Sequence, residues 1–126
     1  MKTRVCFATD VVESDDFLSL SLESQNAYFH LSASSKPNGE IVGVHRTLKS
    51  YGFGEDELQE LLGGGYLLEC NGKIFVTDCW RNNAFEQRLF DIAMSRCEEY
   101  QSGRLVFEGA IGKSRYALAE DWQRFA

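Results

Sequence analysis

Apolar residues recur at helical spacing in three segments of the first half of the chain. Between residues 21 and 34 they fall on two opposite sides, which predicts a first long helix packed between two layers. A weakly amphipathic run predicts a second helix over residues 44–51. Gly54 is the expected N-cap of a third helix, which the triple glycine at 63–65 ends. The buried stripe of this third helix is expected to consist of Leu58, Leu61 and Leu62.

Strand signals surround these helices. Residues 66–70 and 73–79 favour β-structure and are separated by Asn71-Gly72, the strongest short-range signal for a hairpin. Short strands are also predicted at residues 4–8 and 40–44. The first half therefore predicts the order helix, short strand, two helices and hairpin. One shared core is expected from Leu31, Leu58, Leu62, Leu68 and Phe75.

The second half predicts one more helix and one more hairpin. Residues 84–101 carry a broad apolar face at helical spacing, and Gly103 ends this predicted long helix. Arg96 projects within that face, where its charge needs a buried partner or an interface. Residues 104–108 and 114–118 predict a small hairpin around Gly109 and Gly112, and a short final helix is predicted from Ala119.

Five features of the first part share the order and intervals of a known family. They are Ser-Asp-Asp-Phe-Leu at 14–18, Gln-Asn-Ala-Tyr-Phe-His-Leu at 25–31, Gly39, Gly-Glu-Asp-Glu-Leu at 54–58 and Cys-Trp-Arg-Asn-Asn at 79–83. In these features the chain resembles the N-terminal winged-helix domain of bacteriophage replisome-organiser proteins, relatives of the primosomal DnaD family. The resemblance covers somewhat more than half of the chain. It implies a winged helix that binds DNA during replication initiation.

The predicted fold class is α+β, with a winged helix-turn-helix core and a C-terminal extension. The core covers about residues 14–83, and the extension of an amphipathic helix and small hairpin covers residues 84–126. No linker, repeat or low-complexity tract separates the two parts. With 126 residues, of which 44% are hydrophobic, residues 1–126 are expected to form a single domain.

The charge balance is unusual for a nucleic-acid binder. The chain has 13 Lys and Arg against 19 Asp and Glu, a formal net charge of −6, whereas phosphate contacts require basic side chains. A DNA contact must therefore come from a local basic patch. The alternative is that these residues are scattered surface charges, because 13 basic residues populate any face. The residues that a winged helix would turn toward nucleic acid are Lys36, Arg46, Lys49, Lys73 and Arg81.

The exposed side of the predicted third helix is acidic, which argues against base reading. A carboxylate there repels phosphate unless it accepts a hydrogen bond from a cytosine amino group. Residues 63–65 and Asp78 also stand where the replisome-organiser pattern is basic, so the surface that would touch DNA has lost positive charge. The residues expected at a protein partner's interface are Asp56, Gln59, Glu60 and Arg96.

No spacing in the chain predicts a metal site or a cofactor. Cys6, Cys70, Cys79 and Cys97 lack the close pairs of zinc sites, and they are expected to be reduced, small apolar residues, with Cys6 and Cys97 in the core. His30 is expected to be a buried histidine with a satisfied hydrogen bond. Trp80 is expected in the core more readily than as a base-stacking platform.

Sequence signatures of enzymes are missing as well. Residues 109–114 end in Gly-Lys-Ser, but they lack the first half of the phosphate-loop spacing and precede a strand, so a hairpin turn is expected there. A non-enzymatic protein without a small-molecule substrate is therefore predicted. The absence of a membrane span or signal peptide predicts a cytoplasmic location.

Two functions remain open at the level of sequence. The first is a phage-type replication protein that contacts DNA weakly and with little sequence preference. The second is an acidic protein-interaction module, either an oligomerisation domain or an inhibitor of a nucleic-acid-binding partner. The acidic balance brings the second hypothesis nearly level with the first.

Overall fold

The computed structural model describes residues 4–110 and 113–121 and shows a small α+β fold. Within those residues, no helix is long and apolar enough to cross a membrane. Short helices lead into a helical group, and two antiparallel hairpins are separated by three further helices. In chain order the elements are α1 Thr9–Val12, α2 Asp15–Leu18, α3 Leu22–Ala33, α4 Val44–Ser50, α5 Glu55–Gly63, β1 Leu67–Cys70, β2 Lys73–Val76, α6 Cys79–Asn82, α7 Gln87–Met94, α8 Glu98–Gln101, β3 Leu105–Ala110 and β4 Lys113–Leu118.

Helices α3, α4 and α5 lie where the hydrophobic pattern predicts them. Ser21 caps α3, because its hydroxyl accepts a hydrogen bond from the Ser24 backbone N–H at 3.1 Å. Gly54 is the N-cap of α5, as predicted, and carboxylates fill the first turn at the positive end of the helix dipole. Gly65 has φ +81°, so the predicted left-handed glycine after this helix is confirmed.

The first hairpin is also confirmed. Asn71 and Gly72 both have positive φ, +55° and +77°, as a two-residue type I′ turn requires. Leu67 pairs with Val76 and Cys70 with Lys73. The second strand is shorter than predicted, since it ends at Val76 and Cys79 already belongs to a helix.

Two predicted strands are wrong. Over residues 40–44 only Glu40 and Ile41 form isolated bridges, and no strand forms, although the Ile41 N–H donates to the Ile74 carbonyl at 2.8 Å. Residues 4–8 have no regular structure. Their backbone N–H groups bind side chains instead, since Cys6 donates to Asn83 and Ala8 donates to Asn82. Side-chain partners thus replace a sheet ladder at the start of the chain.

The predicted long helix over residues 84–101 is wrong, because the helix begins later, at Gln87, and is interrupted once before α8. Ala84 has φ +59° after α6, and Cys97 is extended between α7 and α8. In one straight helix Glu99 would lie about 180° around the axis from Phe90, which is buried. The break between α7 and α8 turns Glu99 into the interior, where it is 1% exposed.

The break also corrects the apolar face predicted for this segment. Leu89 and Ile92 are 54% and 60% exposed, while Phe90 and Met94 on the other side of α7 are buried. Arg96 lies exposed between α7 and α8 and not within an apolar helix face. It therefore needs no buried partner.

The core joins the helical group to both hairpins. Tyr28 and Leu31 of α3, Leu61 of α5, Phe75 of β2 and Tyr116 of β4 belong to one cluster and are buried. Of the five predicted core residues, Leu31, Leu58 and Phe75 are buried, while Leu62 and Leu68 are partly buried and pack against the cluster.

The C-terminal hairpin is confirmed and is anchored to the first one. Leu105 pairs with Leu118, and the Tyr116 N–H donates to the Thr77 carbonyl at 3.0 Å. The residues of its turn, 111 and 112, lie outside the described part. Helical conformation resumes at residues 119–121, where the final helix is predicted, and its continuation lies outside the described part.

Candidate nucleic-acid interface

Helix α4 carries two of the predicted DNA contacts, Arg46 and Lys49. Both side chains are exposed, and they are neighbours on the helix surface because they are three residues apart. Within residues 4–110 and 113–121 neither forms an ion pair. The Arg46 guanidinium folds back over Gly43, which begins the helix with φ +65°. These two charges are available to an anionic partner.

The other three predicted DNA contacts are each held by a carboxylate. Lys36 pairs with Glu40 at 3.4 Å. Arg81 donates to both carboxylate oxygens of Asp10. This contact lowers the pKa of Asp10, chiefly through the hydrogen bond from Arg81. The third, Lys73, pairs with Glu99 at 3.2 Å. The structure thus divides the five predicted contacts into two free and three neutralised cations.

The pair of Lys73 and Glu99 belongs to a small polar network under the first hairpin. The Asn71 amide and the Lys73 ammonium both donate to Glu99 at 3.3 Å. Burial alone would raise the pKa of Glu99, but the hydrogen bonds and the charge of Lys73 outweigh burial, so the net shift is downward. Glu99 therefore stays ionised and ties Lys73 to the fold.

The predicted partner residues on α5 lie on its exposed side. Glu60 is nevertheless committed to the fold, because it accepts from the Ser21 N–H at 2.9 Å and from the Ser21 hydroxyl. The backbone hydrogen bond from Ser21 is the largest cause of its lowered pKa. Gln59 donates to Glu55 at 2.8 Å. Asp56 is exposed at the start of α5.

Several candidate residues prove to be structural. Trp80 is buried, as predicted, and its indole N–H donates to the Tyr116 hydroxyl at 2.7 Å. His30 is only partly buried and stacks on Tyr51, with ring centroids 3.7 Å apart, so the prediction of a core histidine is wrong. The stacking joins α3 to the residue that follows α4, and the hydrophobic pattern of a single helix cannot show a contact between two segments.

Only one of the two cysteines predicted in the core is buried there. Cys97 is buried, as expected, but Cys6 is exposed in the irregular segment before α1. Burial raises the pKa of the Cys97 thiol, which keeps it protonated near neutral pH. Across the described residues, no three His, Cys, Asp or Glu side chains come together as metal ligands.

Asp78 is a buried carboxylate. In the sequence it stood out only because the replisome-organiser pattern is basic in this region. Burial raises its pKa, and Arg115 and Arg81 offset part of that effect. Its neighbours Thr77 and Cys79 are buried as well, which only the structure shows. Arg81 therefore faces two carboxylates, Asp10 by hydrogen bonds and Asp78 by charge.

Two open clefts flank these residues. The larger, about 1000 Å³, lies between α5, β1 and β4 and is named here the α5–β4 cleft. The smaller, about 610 Å³, lies between residues 36–40 and helices α7 and α8, and Lys36, Lys73 and Arg96 line it. Glu40, Glu98 and Glu99 balance the three cations of the smaller cleft.

Of the five predicted contacts, Arg46 and Lys49 are thus neighbours on one helix, and the other three are paired with carboxylates. Comparison of the chain with protein-family models, with curated proteins and with solved structures finds no match.

Proposed function

We propose that this chain is a non-enzymatic winged helix-turn-helix protein that binds the DNA backbone, as in phage replication proteins. The order α3, bridges at Glu40 and Ile41, α4, α5 and hairpin β1–β2 supports this assignment. In such an arrangement α5 is the recognition helix and the hairpin is the wing. The resemblance of residues 14–83 to replisome-organiser proteins supports the same proposal.

The observation that carries the proposal is the free pair of cations on α4. In a helix-turn-helix, the helix before the recognition helix crosses the phosphate backbone. Arg46 and Lys49 occupy that helix, and both are exposed without a carboxylate partner in the described part of the chain. A phosphate contact needs a positive side chain that no carboxylate of the fold has already neutralised.

The acidic face of α5 shapes the expected binding. Glu55 and Asp56 are exposed in its first turn. They oppose close approach of the recognition helix to phosphate, and the base contacts that they favour are hydrogen bonds from cytosine amino groups. Binding through α4 is therefore modest in affinity and tolerant of sequence.

Fluorescence anisotropy with a labelled duplex and a labelled single strand of about 20 nucleotides at low salt tests the proposal. The wild type binds one or both, and the double variant Arg46→Glu/Lys49→Glu loses binding. The matched control, Arg4→Glu/Arg104→Glu, makes the same change in net charge at two exposed positions outside the helices and strands. Absence of wild-type binding, or equal losses in both double variants, would overturn the proposal.

A second candidate function, self-association, is favoured by the exposed side of α7. Leu89 and Ile92 are neighbours on that side, and Phe85 just before α7 is also exposed. Arg88 and Asp91 flank this stripe with opposite charges, so an antiparallel second copy would meet complementary charges.

Light scattering at high protein concentration tests self-association. It should show a dimer that the double variant Leu89→Lys/Ile92→Lys converts to a monomer. A wild type that stays monomeric contradicts self-association.

A further inference from the structure

His45 is an exposed histidine on α4, beside the two cations that carry the proposed DNA contact. It precedes Lys49 by four residues, so the two side chains are neighbours on the helix surface. Arg46 is exposed as well, and the three side chains fall within about 100° of arc around the helix axis. Helix α4 therefore presents a third side chain that can carry positive charge, and this residue is not among the five predicted contacts.

His45 faces the first turn of α5 through Glu55. Nδ1 of His45 lies 3.8 Å from Oε2 of Glu55, and the two side chains are 75% and 59% exposed. The other oxygen of this carboxylate accepts a hydrogen bond from Gln59 at 2.8 Å. The contact is longer and more exposed than the ion pairs of Lys36 and Lys73. Exposed ion pairs contribute little, so a phosphate can replace Glu55 as the partner of a protonated imidazole.

The protonation of His45 changes the balance of charge where α4 meets α5. The first turn of α5, residues 55–57, consists of three acidic residues, and α4 contributes two permanent cations. With a neutral imidazole, two positive charges oppose three negative ones, whereas a protonated imidazole makes the numbers equal. Histidine is the side chain that ordinarily changes charge between pH 5 and pH 8. A small fall in pH therefore makes this surface less repulsive to phosphate.

No other carboxylate holds His45. Among residues 4–110 and 113–121, Glu55 is its one ion-pair partner. Helix α3 also packs against α4. The titratable side chains of α3 are Glu23, Tyr28 and His30. None of these three forms an ion pair with His45. The charge of His45 therefore acts chiefly on α4 and on the start of α5.

We propose that His45 is a third phosphate contact of α4, formed when its imidazole is protonated, so that DNA binding strengthens as the pH falls from 8 to 5.5. The inference rests on the proposed DNA binding by α4. The protonated ring exchanges Glu55 for a phosphate oxygen close to the phosphate that Lys49 contacts. At pH 8 the ring is neutral, and binding depends on Arg46 and Lys49 alone. Near neutral pH, binding of DNA takes up a proton from solvent.

Fluorescence anisotropy with the untagged full chain and rhodamine-labelled duplex and single-stranded DNA, at pH 8 and at pH 5.5, tests the proposal. In about 50 mM salt the wild type binds about five- to tenfold more tightly at pH 5.5. The slope of log affinity against log salt also steepens by about 1, because one more phosphate is neutralised. The variant His45→Gln keeps the weaker binding and the shallower slope at both pH values. The variant His45→Arg, with a permanent charge, binds tightly at both.

The chain contains one other histidine, which provides the matched control. His30 lies on α3 and stacks on Tyr51. The variant His30→Gln removes the same titratable group from the chain and keeps the pH dependence of the wild type. Circular dichroism at both pH values establishes that each variant is folded.

The outcomes separate this inference from the function on which it rests. Wild-type binding that does not change with pH overturns the inference alone. An equal gain at low pH in His45→Gln also overturns it, and assigns the effect to another group, such as the buried Asp78. A wild-type salt slope that is the same at both pH values excludes the third phosphate contact. Absence of wild-type binding at both pH values overturns the proposed function and this inference together.

Discussion

At the scale of single residues, two buried carboxylates behave in opposite ways. Glu99 receives hydrogen bonds from Asn71 and Lys73, and the pKa of Glu99 is lowered. For Asp78, by contrast, burial is the largest influence and the pKa is raised. The difference shows that burial alone does not decide ionisation. Hydrogen bonds to the charged form can outweigh the loss of hydration.

We expect Asp78→Asn to stabilise the protein at neutral pH. A raised pKa in the folded state means that stability from Asp78 is full below its unfolded pKa and is lost as pH rises through the folded pKa. The neutral amide avoids that loss. Thermal unfolding should therefore show a higher melting temperature for the variant at pH 7 and a much smaller difference near pH 3. A lower melting temperature at pH 7 would mean that Arg81 and Arg115 stabilise the ionised form more than burial destabilises it.

We expect Glu99→Gln to have the reverse pH dependence. Because the folded pKa of Glu99 is lowered, its stabilising effect is present above the unfolded pKa and is lost as pH falls through the folded pKa. The variant should be less stable than wild type at pH 7, with a difference that shrinks below about pH 4. Urea unfolding at both pH values measures this. Glu98→Gln, an exposed neighbour, is the control.

At the scale of elements, local signals predicted α3, α4, α5 and both hairpins, but not the breaks around α7. A cap or a two-residue turn acts within a few residues, so its effect can be read from the chain. Beyond the break, Glu99 binds Lys73, which is 26 residues away in the chain, and such a contact cannot be read from local sequence. Helical periodicity over residues 84–101 continued through the break, and so it predicted one helix where the chain forms α7 and α8.

The triple glycine offers a matched pair of variants at the end of α5. Gly63 is helical and a Cβ there meets nothing within 4 Å, so Gly63→Ala should stabilise by about 0.5 to 1 kcal/mol. Gly65 has φ +81°, so Gly65→Ala should destabilise by about 1 to 2 kcal/mol through backbone strain. Denaturant unfolding of both variants checks the prediction. Equal changes would contradict the assigned role of Gly65.

At the scale of the whole molecule, intramolecular ion pairs neutralise most of the predicted DNA contacts. Lys36, Lys73 and Arg81 are paired with carboxylates, which leaves Arg46 and Lys49. A chain with net charge −6 therefore presents a small positive region on α4 beside the acidic start of α5. Its association with DNA should depend on few phosphate contacts.

We expect a shallow salt dependence of DNA binding. Two cations that each neutralise one phosphate give a slope of about −2 in a plot of log affinity against log salt. Asp56→Asn should strengthen binding, because it removes a repulsive charge from α5. Glu60 is not suitable for the same test, because its carboxylate accepts a hydrogen bond from the Ser21 backbone N–H, so its replacement would also remove a contact within the fold. A slope steeper than about −4 would show that the paired cations also reach the DNA.

The sequence by itself determined the α+β class, the helices α3 to α5, the turn at Asn71-Gly72 and the acidic surface of α5. These features depend on periodicity, capping and turn chemistry, which act between near neighbours in the chain. The candidate site could be predicted only as a set of five basic residues. Sequence shows which residues carry charge, but not which charges meet.

Only the tertiary structure decided which cations remain free. Arg81 meets Asp10 across 71 residues, and Lys73 meets Glu99 across 26. The same long-range packing exposed Leu89 and Ile92 and formed the α5–β4 cleft beside the edge of β1. Contacts between distant segments depend on how the elements pack in three dimensions. No local pattern in the chain specifies that packing.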